Sequence, residues 1–114
     1  MNCTISLSPF FAREAKRLKK RYKSLDKDLE VLHKELQENP KAGIDLGHGI
    51  RKIRLAIGSK GKGKSHGARV ISCIVAMDLE KAEVLLLTIY DKAERDNITT
   101  QEIANLLQKL KETE

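Results

Sequence analysis

Apolar positions along the chain follow two different periods. Phe11, Ala15, Leu18 and Tyr22 recur at helical spacing, with Arg13, Lys16, Lys19, Lys20 and Lys23 opposite them. This is an amphipathic helix with a basic outer face. Ser8 followed by Pro9 marks its start, a capping serine and then a ring that fixes φ at N1. Leu25, Leu29, Leu32 and Leu36 repeat the pattern, with Asp26 and Asp28 in the first turn and Asn39-Pro40 at the end. Acids near a helix N-terminus favour the dipole, and the short break between the two runs predicts a helical hairpin. Elsewhere the period is two. Cys3 to Leu7, Ile50 to Ile57, Arg69 to Met77 and Glu83 to Asp91 read as strands. The short Asp78 to Ala82 turn predicts an antiparallel pair. Lys41 to Gly49 reads as loop. Thr99 and Glu102 form a capping box, Ile98 and Ile103 sit at staple positions, and Ile103, Leu106, Leu107 and Leu110 make the stripe of a last helix. The predicted order is β-α-α-β-β-β-α.

The length, 114 residues, suits one domain over residues 1–114. The formal net charge is +6, and it is unevenly spread: between Arg51 and Arg69 no acid interrupts Arg51, Lys52, Arg54, Lys60, Lys62, Lys64 and Arg69. Such a run points to an anionic partner. No apolar stretch is long enough to span a bilayer, and the N-terminus lacks a signal-peptide pattern, so we expect a cytoplasmic protein without a membrane partner. Cys3 and Cys73 lie in apolar strand contexts and are expected to be buried free thiols.

Gly58 to Ser65 fits the phosphate-binding pattern G-x-x-x-x-G-K-[ST] letter for letter, and Val84 to Tyr90 followed by Asp91 imitates an apolar strand ending in a metal-binding acid. The pattern works only where a helix begins at the Lys-Ser end and offers its free N–H groups to phosphate. Here Ser65 leads through His66-Gly67-Ala68 into strand chemistry, which argues against nucleotide binding. Flexible glycines and mutually repelling lysines instead predict a mobile Lys60 to Lys64 loop.

His33, His48 and His66 have no ligand partner at i+3 or i+4, and no Cys spacing suggests zinc, so neither a metal nor another cofactor is expected. The remaining set is cationic with one phenol: Lys52, Arg54, Lys60, Lys62, Lys64, Arg69, Tyr90, Lys92 and Arg95. Lys52 and Arg54 share one strand face, as do Tyr90 and Lys92. Such a group suits RNA cleavage in which the 2′-OH attacks the adjacent phosphate. Cations stabilise the developing charge, and side chains move the protons. The surrounding cations are expected to lower the Tyr90 pKa. On the residues alone, Tyr90 as a strand-capping core residue beside cations that merely bind RNA stays open.

Ile50-Arg-Lys-Ile-Arg-Leu-Ala56, the loop Ser59-Lys-Gly-Lys-Gly-Lys64, the strand opening at Arg69, and Leu86-Leu-Thr-Ile-Tyr-Asp-Lys92 together resemble HigB-like members of the RelE/ParE superfamily of type II toxins. The resemblance implies an α+β fold with an antiparallel sheet flanked by the helical hairpin and the C-terminal helix. It implies ribosome-dependent cleavage of mRNA in the A site, and inhibition by a cognate antitoxin protein. On that pattern Arg54, Arg69, Tyr90 and Lys92 are the catalytic candidates, and Lys52, Lys60, Lys62, Lys64 and Arg95 the RNA-binding ones. A non-catalytic RNA- or ribosome-binding protein, a DNA-binding module and a nucleotide binder are the competing readings.

Overall fold

The computed structural model describes residues 2–112. Its elements are β1 (Asn2–Leu7), α1 (Pro9–Arg21), α2 (Leu25–Glu38), β2 (Ile44–Gly47), β3 (Ile50–Leu55), β4 (Ala68–Met77), β5 (Lys81–Asp91) and α3 (Thr100–Glu112). Two 3₁₀ turns, Gly58–Lys60 and Lys64–His66, shape the segment between β3 and β4. The fold is α+β, with the helical hairpin before the sheet and a single helix after it, as expected. Two details differ from expectation. Part of the segment read as loop forms β2, paired with β3. The sheet, ordered β1-β5-β4-β3-β2, is mixed, because β1 joins β5 in parallel. A parallel neighbour needs a crossover connection, and the α1–α2 hairpin through β4 supplies the length of chain for it.

The two faces of the sheet bury different partners. On one, Ile53, Leu55, Val70, Val84, Leu86 and Ile89 pack against Phe11, Leu18, Leu25, Leu32 and Leu36 of the hairpin. On the other, Ile71, Leu87 and Tyr90 pack with Ile98 and Ile103, flanked by Leu106, Leu107 and Leu110 of α3. The Thr99 N–H donates to Glu102 Oε1 and the Glu102 N–H to Thr99 Oγ1, each at 3.1 Å, so the reciprocal cap read from the sequence is made. Both cysteines are free thiols; Cys3 is buried and Cys73 partly so. Among the described residues, no helix is long and apolar enough to cross a membrane.

One irregularity decides what faces the cations. Between β4 and β5 the register slips, with Ile71 opposite Thr88 but Ser72 opposite Leu86, so Leu87 is an extra residue on β5. Such a bulge shifts the alternation by one residue. Leu86 and Ile89 therefore share the hairpin face, while Leu87 and Tyr90 share the other. The Ser8 cap holds this kink: its Oγ accepts from the Phe11 N–H at 3.1 Å and donates to the Leu87 carbonyl at 2.5 Å. Ser8→Ala leaves both groups unpaired in a buried place. It should cost about 1 to 2 kcal/mol, read as a lowered midpoint in urea unfolding.

Candidate active site

Arg54, Arg69 and Tyr90 form one row across the three central strands, Arg54 opposite Arg69 and Arg69 opposite Tyr90. Arg54 is exposed and, among the described residues, its side chain makes no ion pair or hydrogen bond. Arg69 is 8% exposed. Its Nη1 donates to the carbonyls of Lys64 (3.0 Å) and Ala68 (3.1 Å), and its Nη2 to that of Ser65 (3.4 Å), so no acid neutralises it. Burial, and then the neighbouring Arg54 charge, lower its pKa below the ordinary guanidinium value. Two adjacent cations without a counter-charge raise the energy of the empty site, and an anion placed between them relieves it.

Tyr90 is 6% exposed, its ring packed in the α3 core with the Arg95 guanidinium 5.6 Å from the ring centre. Its pKa moves opposite to the expectation. Burial pushes the phenol up, outweighing the lowering effects of Arg69, Arg95 and the Ile98 N–H. Expulsion of water from the ring's surroundings is the dominant cause, so the phenol keeps its proton at neutral pH.

The other candidates divide. Lys52 sits one strand step from Arg54 on the same strand face, its Nζ donating to Asn97 Oδ1 at 2.8 Å, a neutral partner that orients the charge without cancelling it. Arg95 pairs with Glu102 at 2.5 Å and donates to the Asn97 carbonyl at 3.0 Å, which ties it to the start of α3. Lys92 lies beyond the row, with Nζ at 2.8 Å from the Asp96 carbonyl and 3.6 Å from its carboxylate. It lines a separate open cleft of about 530 Å³ with Lys60, Lys62, Ser65 and His66. Lys62 and Lys64 are exposed, and among the described residues their ammonium groups make no bond.

The segment carrying the loop is anchored on both sides of Lys60 to Lys64. Ser24 and Ser59 exchange backbone-to-hydroxyl bonds at 2.9 and 2.8 Å, and Asp28 accepts from the Gly58 N–H at 3.1 Å. A β-carbon at Gly67 would fall 2.0 Å from the Leu55 carbonyl oxygen, so the loop returns to the sheet along a path open only to glycine. Lys60 Nζ donates to Asp91 Oδ1 at 2.5 Å and to the His66 carbonyl at 2.9 Å. After Ser65 the chain enters β4 and no α-helix, so the nucleotide-binding pattern lacks its phosphate cradle.

A family model for the RelE toxin of RelE/RelB toxin-antitoxin systems matches residues 8–113. The chain belongs to the RelE toxin family. The protein is thus the toxin of a toxin–antitoxin pair, and its cationic row lies within the matched segment. Sequence reasoning about the toxin missed three contributors: Asn97, which orients Lys52, and Tyr22 and Asp91, which hold Lys60. For Asp91 a signal existed. An acid closing a run as apolar as Val84 to Tyr90 is carried into the interior, where it needs cationic and hydroxyl partners.

Proposed function

We propose that the toxin is a HigB-like, ribosome-dependent endoribonuclease that cuts mRNA in the A site and arrests translation in the cytoplasm until a cognate antitoxin protein binds it. The observation that carries this reading is the row Arg54–Arg69–Tyr90, two guanidinium groups without an acidic partner beside a phenol that keeps its proton. The loop and β5 stretches quoted above support the HigB-like branch.

The chemistry follows from the row. The 2′-oxygen of the message bonds to the adjacent phosphorus and loses its proton to solvent water, while the bond from phosphorus to the 5′-oxygen breaks. Arg54 and Arg69 bind the non-bridging oxygens, on which charge builds. Tyr90 donates its proton to the departing 5′-oxygen. Lys52, fixed by Asn97, holds a neighbouring phosphate, and Lys62 and Lys64 take up the strand beyond it. Lys92 faces the adjoining cleft and contributes charge there. Because the substrate supplies the nucleophile, the reaction calls for no cofactor.

Toeprinting of ribosome-bound message with purified toxin tests the proposal. Breaks within the A-site codon are expected, and none on the same message without ribosomes. Growth arrest without breaks would favour a non-catalytic ribosome binder. Ribosome affinity should also fall steeply with salt, with a log–log slope of roughly 0.7 to 0.9 per phosphate contact. A flat response would remove the electrostatic basis.

A further inference from the structure

The loop between β3 and β4 carries a lysine that does not face outward. Lys60 has a side chain 12% exposed, directed toward Asp91, which is 0% exposed. The two oxygens of Asp91 are divided between partners. Oδ1 takes Lys60 Nζ at 2.5 Å and the Ala93 N–H at 2.9 Å, and Oδ2 takes the Tyr22 hydroxyl at 2.6 Å, with the exposed Arg21 guanidinium more distant at 3.9 Å from Oδ2. The Lys60 ammonium also lies 5.2 Å from the centre of the Tyr22 ring. Tyr22 caps the end of α1, so three distant parts of the chain meet at one carboxylate: the helical hairpin, the loop and the end of β5.

We propose that Lys60, Asp91 and Tyr22 form a buried latch that docks the basic loop against the end of the sheet, making Lys60 a positioning residue and not an RNA ligand. Lys60 also bonds the His66 carbonyl, and so ties the two ends of the loop together. Arg69 holds the Lys64 and Ser65 carbonyls from the other side. Between these anchors only Gly61, Lys62 and Gly63 project, which fixes where Lys62 and Lys64 present their charge relative to the row Arg54–Arg69–Tyr90. A buried ion pair adds little net stability over an apolar pair, because both charges were taken from water; its effect is to specify one arrangement. Breaking it by removing one partner strands the other. The consequence for RNA rests on the ribonuclease reading; the docking of the loop does not.

The experiment uses the free toxin and the variants Lys60→Met, Asp91→Asn, Lys60→Arg and the double variant Lys60→Met/Asp91→Asn. Limited trypsin digestion reads loop opening as cutting after Lys62 and Lys64. Each of the first two should speed that cutting by about tenfold or more, the double variant no more than either single, and Lys60→Arg should restore slow cutting. Far-UV circular dichroism and thermal melts identify any variant that loses its fold, in which case Lys60→Arg against Lys60→Met carries the comparison. Cutting at the wild-type rate in both single variants overturns the latch. A second readout is the salt dependence of ribosome binding. A latch residue weakens binding in Lys60→Met but leaves the log–log slope unchanged, because Lys62 and Lys64 still meet phosphate from a less ordered loop, whereas a phosphate ligand lowers the slope by roughly 0.7 to 0.9. Asp91→Asn likewise separates the readings: it weakens binding if Lys60 is a latch, and strengthens it if the change frees Lys60 for phosphate. Loop opening in the variants of a toxin that cuts no message would uphold the latch and reject the ribonuclease reading.

Discussion

Arg69→Ala should lower the rate of A-site cleavage by roughly 100- to 1,000-fold, equivalent to about 3 to 4 kcal/mol of transition-state stabilisation, while the protein still folds. Two losses act together. The first is the charge nearest the reacting phosphate in the proposed row, held rigidly because Arg69 sits on a central strand with its guanidinium pinned by three carbonyls. Those contacts leave the Nε hydrogen and the second Nη2 hydrogen uncommitted for phosphate oxygens. The second loss is the anchor of the loop at Lys64 and Ser65, so Lys62 and Lys64 lose their place. Arg69→Lys separates the two: a single ammonium restores charge but cannot span several carbonyls as the planar fork does. It should recover part of the lost rate and leave the loop open to trypsin. Ribosome affinity should fall much less than the cleavage rate, since other lysines still meet phosphate. Toeprinting under single-turnover conditions, with melting curves for each variant, reads all of this. Cleavage by Arg69→Ala within a few-fold of the unmodified toxin would remove Arg69 from the chemistry.

Much of the fold is legible in the sequence because strong local signals coincide with the tertiary answer. Ser8-Pro9, the leucine steps of α2 and the Thr99/Glu102 box each fix a helix end or face by short-range chemistry, and each is made as read. What was hidden is set at long range. The parallel pairing of β1 with β5 depends on where the hairpin returns the chain, and no residue in Cys3 to Leu7 encodes it. The bulge at Leu87 is masked because Leu85, Leu86 and Leu87 are identical, so a one-residue slip leaves no trace in the alternation. Strict alternation would put Tyr90 on the hairpin face with Leu86 and Val84. Only the bulge aims it at Arg69.

The candidate site divides the same way. That Lys52 and Arg54 share a strand face follows from the period of two, and the register that sets Arg54 beside Arg69 extends it. The state of Tyr90 did not follow. Counting nearby cations predicts a lowered pKa, but the ring's burial under Ile98 and Ile103 removes the water that would solvate a phenolate, and that effect is larger. The setting of Lys60 is hidden for a related reason. In sequence it is one of several equivalent loop lysines; in space it alone faces a buried acid thirty-one positions away.

Tyr90→Phe should slow cleavage by about 100-fold or more while leaving ribosome binding close to that of the unmodified toxin and the fold intact. The substitution keeps the ring, and with it the contacts to Ile71, Leu87, Ile98 and Ile103 and the Arg95 guanidinium stacked on its face. It removes the hydroxyl and, with it, the acceptor of the Ile98 N–H. The stability change should therefore stay at about 1 to 2 kcal/mol, and a rate loss well beyond it measures the proton, not the packing. The pH profile fixes the direction of transfer. Because the phenol is pushed above its ordinary value of 10.0, it stays protonated through neutral and mildly alkaline solution. An acid role predicts a Tyr90 contribution that is flat from about pH 6 to about pH 9 and declines only above that, as the donor is lost. A base role predicts the reverse, a rate climbing with pH as phenolate forms. Substrates whose 5′-bridging oxygen is replaced by sulfur add an independent reading, since a thiolate leaves without help from an acid. On such a message Tyr90→Phe should cleave nearly as fast as the unmodified toxin. Equal slowing on the oxygen and sulfur substrates would show that the hydroxyl acts before the leaving step, and would move the acid role away from Tyr90.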